Sequence, residues 1–102
     1  MKIKSSTPLL DMEGKEMTDG KSPFTIGVAL ANILLVDESG GKMKLFSLAQ
    51  DFYKNDEVSL DVSDFALVKS ATERTKAYQN ALITGQILTY LESVKDEKNN
   101  NK

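Results

Sequence analysis

The chain has 102 residues, of which 40% are hydrophobic and 27% are charged, and these values are ordinary for one globular domain. It contains no Cys and no His, which excludes Cys- and His-based zinc sites, thiol nucleophiles and histidine acid–base catalysis. The formal charge is −2, and all but one of the 13 basic residues are Lys. Nucleic-acid-binding surfaces usually carry a positive excess and use Arg, so this composition disfavours binding to a duplex.

The first residues predict a short β-hairpin or an irregular arm over 2–18. Lys2–Lys4 alternates polar and apolar side chains, and Glu13-Gly14 suits the centre of a turn because Gly tolerates a positive φ. The segment has no apolar run of the signal-peptide kind, and no window of the chain reaches 18 apolar residues. We therefore expect a cytoplasmic protein with no membrane-spanning segment.

Ile26–Val36 is the most hydrophobic stretch of the chain, and only Gly27 and Asn32 within it are not apolar. Thr25 suits the N-cap of a helix here, and Gly27 would permit the close approach of another backbone. A helix that is apolar nearly all round belongs in a core, and this one is too short for a membrane span, which needs about 20 residues. We predict a central helix over about 25–36. If one side of it were open, it would form an interface between copies.

Two further helices are predicted, over about 42–54 and from Asp61 to about 74. In the first, apolar residues recur at i, i+3, i+4 and i+7 and predict one buried stripe: Leu45, Leu48, Ala49 and Phe52. Phe46 lies off this stripe, so we expect it to be exposed or to lie in an interface. Between the two helices, 58–60 predicts a short extended segment that could pair with the N-terminal arm.

A fourth helix is predicted over about 76–95, with an apolar face wider than contact with one neighbour requires. The residues of that face form two rows, which are Ile83, Ile87, Leu91 and Val94, and beside them Tyr78, Leu82 and Gly85. Two neighbours would account for this face, namely the central helix and either another helix or a second subunit, and Gly85 would let a crossing helix approach. Residues 96–102 are polar throughout and predict a disordered tail, which leaves 1–95 as a single domain.

Acidic pairs such as Asp37/Glu38 and Asp61/Asp64 are groups that could serve catalysis or bind a hard cation. Each pair lies at a predicted turn, helix start or tail, where acids are common, so a structural role is the preferred interpretation. Ser39–Lys42 has the spacing of some acyl-enzyme nucleophiles but lacks their companion motifs. We therefore predict a non-enzymatic protein with no catalytic, cofactor-binding or metal-binding residues and no cofactor.

Six segments, spread over most of the chain, follow one another in a recognisable order: Pro8-Leu9-Leu10-Asp11-Met12-Glu13-Gly14-Lys15, Thr25-Ile26-Gly27-x-Ala29-Leu30-x-Asn32-Ile33-Leu34-Leu35, Leu48-Ala49-x4-Lys54, Asn55-Asp56-Glu57-Val58-x-Leu60, Phe65-Ala66-Leu67-Val68-Lys69, and Gly85-Gln86-Ile87-Leu88-x3-Glu92. This order resembles a recurrent type of small protein of unknown function that phages and prophages encode. The resemblance implies a small helical accessory protein without known enzymatic activity, in the cytoplasm of a bacterial host. It carries no catalytic or binding residue over to this chain.

Taken together, the sequence predicts an α+β fold, mainly α, with a short N-terminal hairpin or arm and about four helices around the central one. The leading functional hypothesis is an interaction protein that binds another protein or itself. Its candidate interface combines apolar residues of the fourth helix with one of the second: Phe46, Leu82, Ile83, Leu88 and Tyr90. The alternative is a weak association with nucleic acid through a basic patch: Lys42, Lys44, Lys69, Arg74 and Lys76.

Overall fold

Helices dominate the computed structural model, which describes residues 1–38, 41–78 and 80–100, without the side chains of residues 19 and 96–100. Within these ranges the helices run over Ile26–Val36 (α1), Lys42–Lys54 (α2), Val62–Arg74 (α3) and Ala81–Asn100 (α4). The strands are short and cover Lys2–Lys4 (β1), Thr18–Asp19 (β2), Ser22–Pro23 (β3) and Glu57–Ser59 (β4). The predicted α+β fold, mainly α, is confirmed.

Two small antiparallel sheets organise the chain outside the helices. β1 pairs with β4 so that Ile3 faces Val58, and both of these side chains are buried between exposed neighbours. β2 and β3 form a hairpin around Gly20, which has φ +72°. The expected pairing between the arm and the segment at 58–60 is confirmed, because β1 pairs with β4, which follows α2 in the sequence.

The turn predicted at Glu13-Gly14 is present and is held by one carboxylate. The Asp11 Oδ1 atom accepts hydrogen bonds from the backbone N–H groups of Glu13 at 2.8 Å and Lys15 at 3.0 Å. Gly14 has φ +85°, a conformation that residues with a Cβ rarely adopt. Local Asx-turn chemistry therefore shapes this part of the arm.

α1 begins as predicted and lies against α2 and α3. Its N-cap is Thr25, whose Oγ1 accepts from the Val28 N–H at 3.2 Å. Gly27 allows the arm to touch the helix: its N–H donates to the Ser5 carbonyl at 2.9 Å, and a Cβ built on Gly27 would lie 2.5 Å from the Phe52 carbonyl oxygen. The helix is not covered throughout, because Leu35 and Val36 in its last turn are each more than half exposed.

The fourth helix starts at Ala81, so the prediction of a start near 76 was wrong. α3 ends at Arg74, and the next residue, Thr75, is extended at φ −64° and ψ 145°. The Thr75 Oγ1 atom accepts from the Ala77 N–H at 3.0 Å. The new helix is capped by Asn80, whose Oδ1 accepts from the Leu82 N–H at 3.1 Å. These side-chain hydrogen bonds compete with helix formation across this connection.

Tyr78 lies in that connection, not on the fourth helix as predicted. Its hydroxyl accepts from Asn32 Nδ2 at 2.8 Å, so the amide of α1 bonds this neighbouring segment. Its ring lies 5.8 Å, centroid to centroid, from that of Phe24. A tertiary contact with α1 thus holds the chain here in a non-helical path.

The expectation that Gly85 lets a helix cross α4 was also wrong, since a Cβ built there would meet nothing within 4 Å. α4 packs against another helix, α3, and against β1 and the N-terminal arm, so the central helix is not one of its main neighbours, contrary to our prediction. α4 continues to Asn100, into the segment predicted as a disordered tail over 96–102. Residues 101 and 102 and the side chains of 96–100 lie outside the described residues, so the tail stays a prediction.

Candidate interaction surface

Large apolar side chains that remain exposed mark where this fold could bind another molecule. In the described residues they are Leu10, Met12, Leu35, Val36, Met43, Phe46, Tyr53 and Val62. More than half of them belong to the last turn of α1 and to α2. This part of the molecule therefore carries most of its exposed large apolar side chains.

α2 has two distinct apolar faces. The buried stripe predicted from Leu45, Leu48, Ala49 and Phe52 is confirmed, and so is the exposed position of Phe46. Met43, Phe46, Gln50 and Tyr53 recur at i, i+3, i+7 and i+10 and form a second stripe, rotated by about 130° from the buried one. Met43 is 89% exposed, Phe46 54% and Tyr53 70%. We call these four residues the α2 stripe.

The exposed last turn of α1 lies at the same end of the molecule as the start of this stripe. Residues 37–41 alone separate the two helices, which pack against each other, so the last turn of α1 and the first turn of α2 lie at the same end of the molecule. Leu35 and Val36 therefore lie towards the end of the molecule where the stripe begins, and Val36 lines an open groove with Arg74 and Ala77. We call the α2 stripe together with Leu35 and Val36 the α2 surface.

Two exposed lysines flank the α2 stripe at opposite ends. Lys42 and Lys54 each lie about 60° from its centre, on opposite sides, as the helical periodicity requires. Among the described residues neither of them forms an ion pair, whereas Lys44 pairs with Asp64, with Nζ 3.1 Å from Oδ1. Asp51, the one carboxylate of α2, is half-buried on the side away from Lys42. It lies three positions before Lys54 and about 60° from it around the axis, and the exposed Asp56 and Glu57 follow Lys54, so the rim of the stripe carries charges of both signs.

The candidate interface residues of α4 are covered by the chain itself. Ile83 is buried in the core, and Leu82, Leu88 and Tyr90 are half-buried. The Tyr90 hydroxyl accepts from the Lys4 N–H at 2.8 Å. The breadth of the apolar face of α4 is therefore explained by contacts within this molecule, and Phe46 is the exposed member of the predicted set.

Gln86 fastens the N-terminal arm to α4. Its Oε1 accepts from the Leu10 N–H at 2.9 Å, and its Nε2 donates to the Leu10 carbonyl at 2.6 Å. An open groove runs between the arm and the helix, with Leu10, Met12, Leu82 and Tyr90 among its lining residues. The groove offers apolar contact, but the polar backbone groups of Leu10 in it are already satisfied.

The predicted basic patch is largely neutralised. Besides Lys44, Lys69 pairs with Glu92, and Arg74 holds both carboxylate oxygens of Asp37 at 2.8 and 2.9 Å. The hydrogen bond to Asp37 raises the pKa of Arg74, and the bond between Lys69 and Glu92 raises the pKa of Lys69 and lowers that of Glu92. Lys42 and Lys76 are the exposed members for which the described residues show no such partner.

The part of the chain that the structure describes gives little support for a metal site or a membrane-spanning helix. No group of three or more Asp or Glu there is arranged to hold a metal ion. None of the described helices is both long enough and apolar enough to cross a membrane. What the arrangement offers is exposed apolar area on α2 with charges of both signs at its rim.

Sequence reasoning identified Phe46 but not the rest of the α2 surface. Met43 and Tyr53 had a readable signal, since they share the helical period of Phe46, whereas the exposure of Leu35 and Val36 depends on how α1 packs. Comparisons with known protein families, with curated proteins and with solved structures find no match to this chain.

Proposed function

We propose that this chain is a non-enzymatic protein that acts by binding another protein or a second copy of itself through the α2 surface. The observation that carries the proposal is the run of exposed apolar side chains at 43, 46 and 53 on one face of a helix. Covering such side chains removes apolar area from water, at about 25 cal/mol per Å². The phage-type accessory role implied by the resemblance is part of the same proposal.

The surface on α2 replaces the one expected on α4. Ile83 lies in the core, Tyr90 packs against it and bonds the N-terminal arm, and Leu82 and Leu88 are half-buried. These residues therefore have less exposed apolar area to offer than α2. Association with nucleic acid is the weaker alternative, because Lys44, Lys69 and Arg74 each form an ion pair with a carboxylate of the same chain. Phosphate contacts would have to break those pairs.

Phe46→Ser tests the proposal, with Met12→Ser as the matched control, because Met12 is 87% exposed but lies on the N-terminal arm. Light scattering after size exclusion measures self-association of the full chain, and capture from a bacterial lysate on the immobilised full chain measures partners. We expect at least one association that Phe46→Ser weakens about tenfold and Met12→Ser leaves unchanged. A monomer that captures nothing in a Phe46-dependent way would contradict the proposed function.

A further inference from the structure

The four methionines of the chain divide into two that are packed and two that are exposed to water. Met1 and Met17 are partly buried against the core, whereas Met12 is 87% exposed and Met43 is 89% exposed. The susceptibility of a thioether to oxidation follows its exposure, because the oxidant has to reach the sulfur. Met12 and Met43 are therefore the methionines that a dissolved oxidant reaches first.

The two exposed methionines lie on different parts of the molecule. Met43 begins the α2 stripe, three positions before Phe46 and on the same side of the helix. Met12 lies in the N-terminal arm and lines the open groove beside α4. Because their side chains are almost equally exposed, they differ in their surroundings and not in their access to an oxidant. Met12 is thus an internal control for the effect of oxidising Met43.

We infer that Met43 is an oxidation site, through which a peroxide weakens the association proposed for the α2 surface. This inference rests on the proposed function. The Met43 sulfur attacks one oxygen of hydrogen peroxide, an S–O bond forms and the O–O bond breaks. The departing hydroxide takes the proton of the transferred oxygen and leaves as water. The sulfur is oxidised by two electrons to the sulfoxide, and the peroxide is reduced.

The sulfoxide makes Met43 polar without lengthening its side chain. On the free chain its oxygen is in contact with water, so the fold is not affected, because Met43 lies outside the core. A molecule that covers the stripe would remove that water, and burying a polar group without a hydrogen-bond partner is unfavourable. Methionine sulfoxide reductases supply two electrons and two protons and release the oxygen as water, so the change is reversible.

Peptide mass mapping after brief treatment with hydrogen peroxide measures the order of oxidation in the full chain. Met12 and Met43 should form sulfoxide at similar rates, and both should do so several times faster than Met1 and Met17. Circular dichroism of the treated chain should show unchanged helix content.

The association that Phe46→Ser weakens is then compared before and after treatment. The full chain is treated alone, and catalase removes the peroxide before any other protein is added. Oxidation should weaken the association about fivefold in the wild-type chain and in Met12→Leu, but less than about twofold in Met43→Leu, which stays apolar and has no sulfur. Met43→Gln places a polar amide on a side chain of similar length and should weaken the association without peroxide, whereas Met12→Gln should not.

Two results would overturn the inference and leave the proposed function standing. One is a Met43 that oxidises no faster than Met1 and Met17. The other is a Phe46-dependent association that survives complete oxidation of Met43, or that peroxide weakens equally in Met43→Leu. If no Phe46-dependent association is found in the untreated chain, the proposed function fails, and the inference fails with it.

Discussion

Phe46 and Phe52 lie on the same helix but on different sides of it: Phe46 is 54% exposed, whereas Phe52 is 2% exposed. They are six positions apart, which turns their side chains about 120° from each other around the axis of α2. Phe52 belongs to the core that α2 forms with α1. Phe46 lies outside this core. α2 therefore contributes one face to the core and exposes an aromatic side chain on another.

Truncating these two rings should separate their contributions to stability. Phe52→Ala removes a fully buried ring and should lower the free energy of unfolding by about 3–5 kcal/mol. Phe46→Ala should lower it by less than about 1 kcal/mol, because much of its ring is already in water. Urea unfolding followed by circular dichroism measures both. Equal losses would show that Phe46 is a core residue.

Replacing Gly27 and Gly85, which both lie in helices, with Ala should change the stability of the protein in opposite directions. At Gly27 a Cβ would lie 2.5 Å from both the Phe52 carbonyl oxygen and the Ser5 Cβ, so Gly27→Ala should destabilise the protein by more than about 2 kcal/mol. At Gly85 the same atom meets nothing within 4 Å, so Gly85→Ala should stabilise by about 0.5–1 kcal/mol through helix propensity. Thermal unfolding of the two variants checks this, and a stable Gly27→Ala would contradict the close approach.

The contact between the N-terminal arm and α4 should depend on Gln86. Gln86→Ala removes both hydrogen bonds to the backbone of Leu10 and should cost about 1–2 kcal/mol. Hydrogen exchange at the Leu10 N–H should become faster in this variant. Gln50→Ala, an exposed position on α2, is the control and should leave exchange at Leu10 unchanged. Unchanged protection in Gln86→Ala would mean that other contacts hold the arm.

The ion pair between Lys69 of α3 and Glu92 of α4 makes a pH-dependent contribution to the stability of the fold. The sign of this contribution follows from the pKa shift of Glu92. The hydrogen bond from Lys69 lowers the pKa of Glu92 below its usual 4.5, so the pair stabilises the fold above that pH and is lost as pH falls through the lower folded pKa. In Lys69→Met the pKa of Glu92 should return towards 4.5. Lys95→Met should have a smaller effect, because Lys95 is the lesser cause.

An NMR titration of the Glu92 side-chain carboxyl carbon measures this pKa in the wild-type chain and in both variants. A larger rise in Lys95→Met than in Lys69→Met would contradict the pair as described.

The starts of α1 and α3 could be predicted because their signals are local. Thr25 and Asp61 precede apolar runs, and each accepts a hydrogen bond from the residue three positions on, as N-caps do. The start of α4 was predicted too early because Tyr78 fits a helical period, although Asn80 offers a local cap. Asn32, from a distant part of the chain, also holds Tyr78 outside the helix. Periodicity reports a face, whereas capping side chains and this tertiary hydrogen bond set where the helix begins.

The candidate surface was predictable only in part, for a related reason. Phe46 could be identified because it lies off the buried stripe of its own helix. The spacing of apolar residues within that one helix is enough to show this. The burial of Leu82 and Tyr90 depends on where the N-terminal arm packs, and that position is set by Gln86 and by the pairing of β1 with β4. A wide apolar helix face therefore could not distinguish a partner from the chain's own arm.

The most direct test of the account is to locate the binding site by NMR. Backbone amide signals of the ¹⁵N-labelled full chain are followed residue by residue, first as the protein concentration is raised and then as a protein that the chain captures is added. The largest changes should fall on α2 at Met43, Phe46, Gln50 and Tyr53 and on the last turn of α1. Changes centred on the groove beside α4, around Leu82 and Tyr90, or the absence of any change, would contradict it.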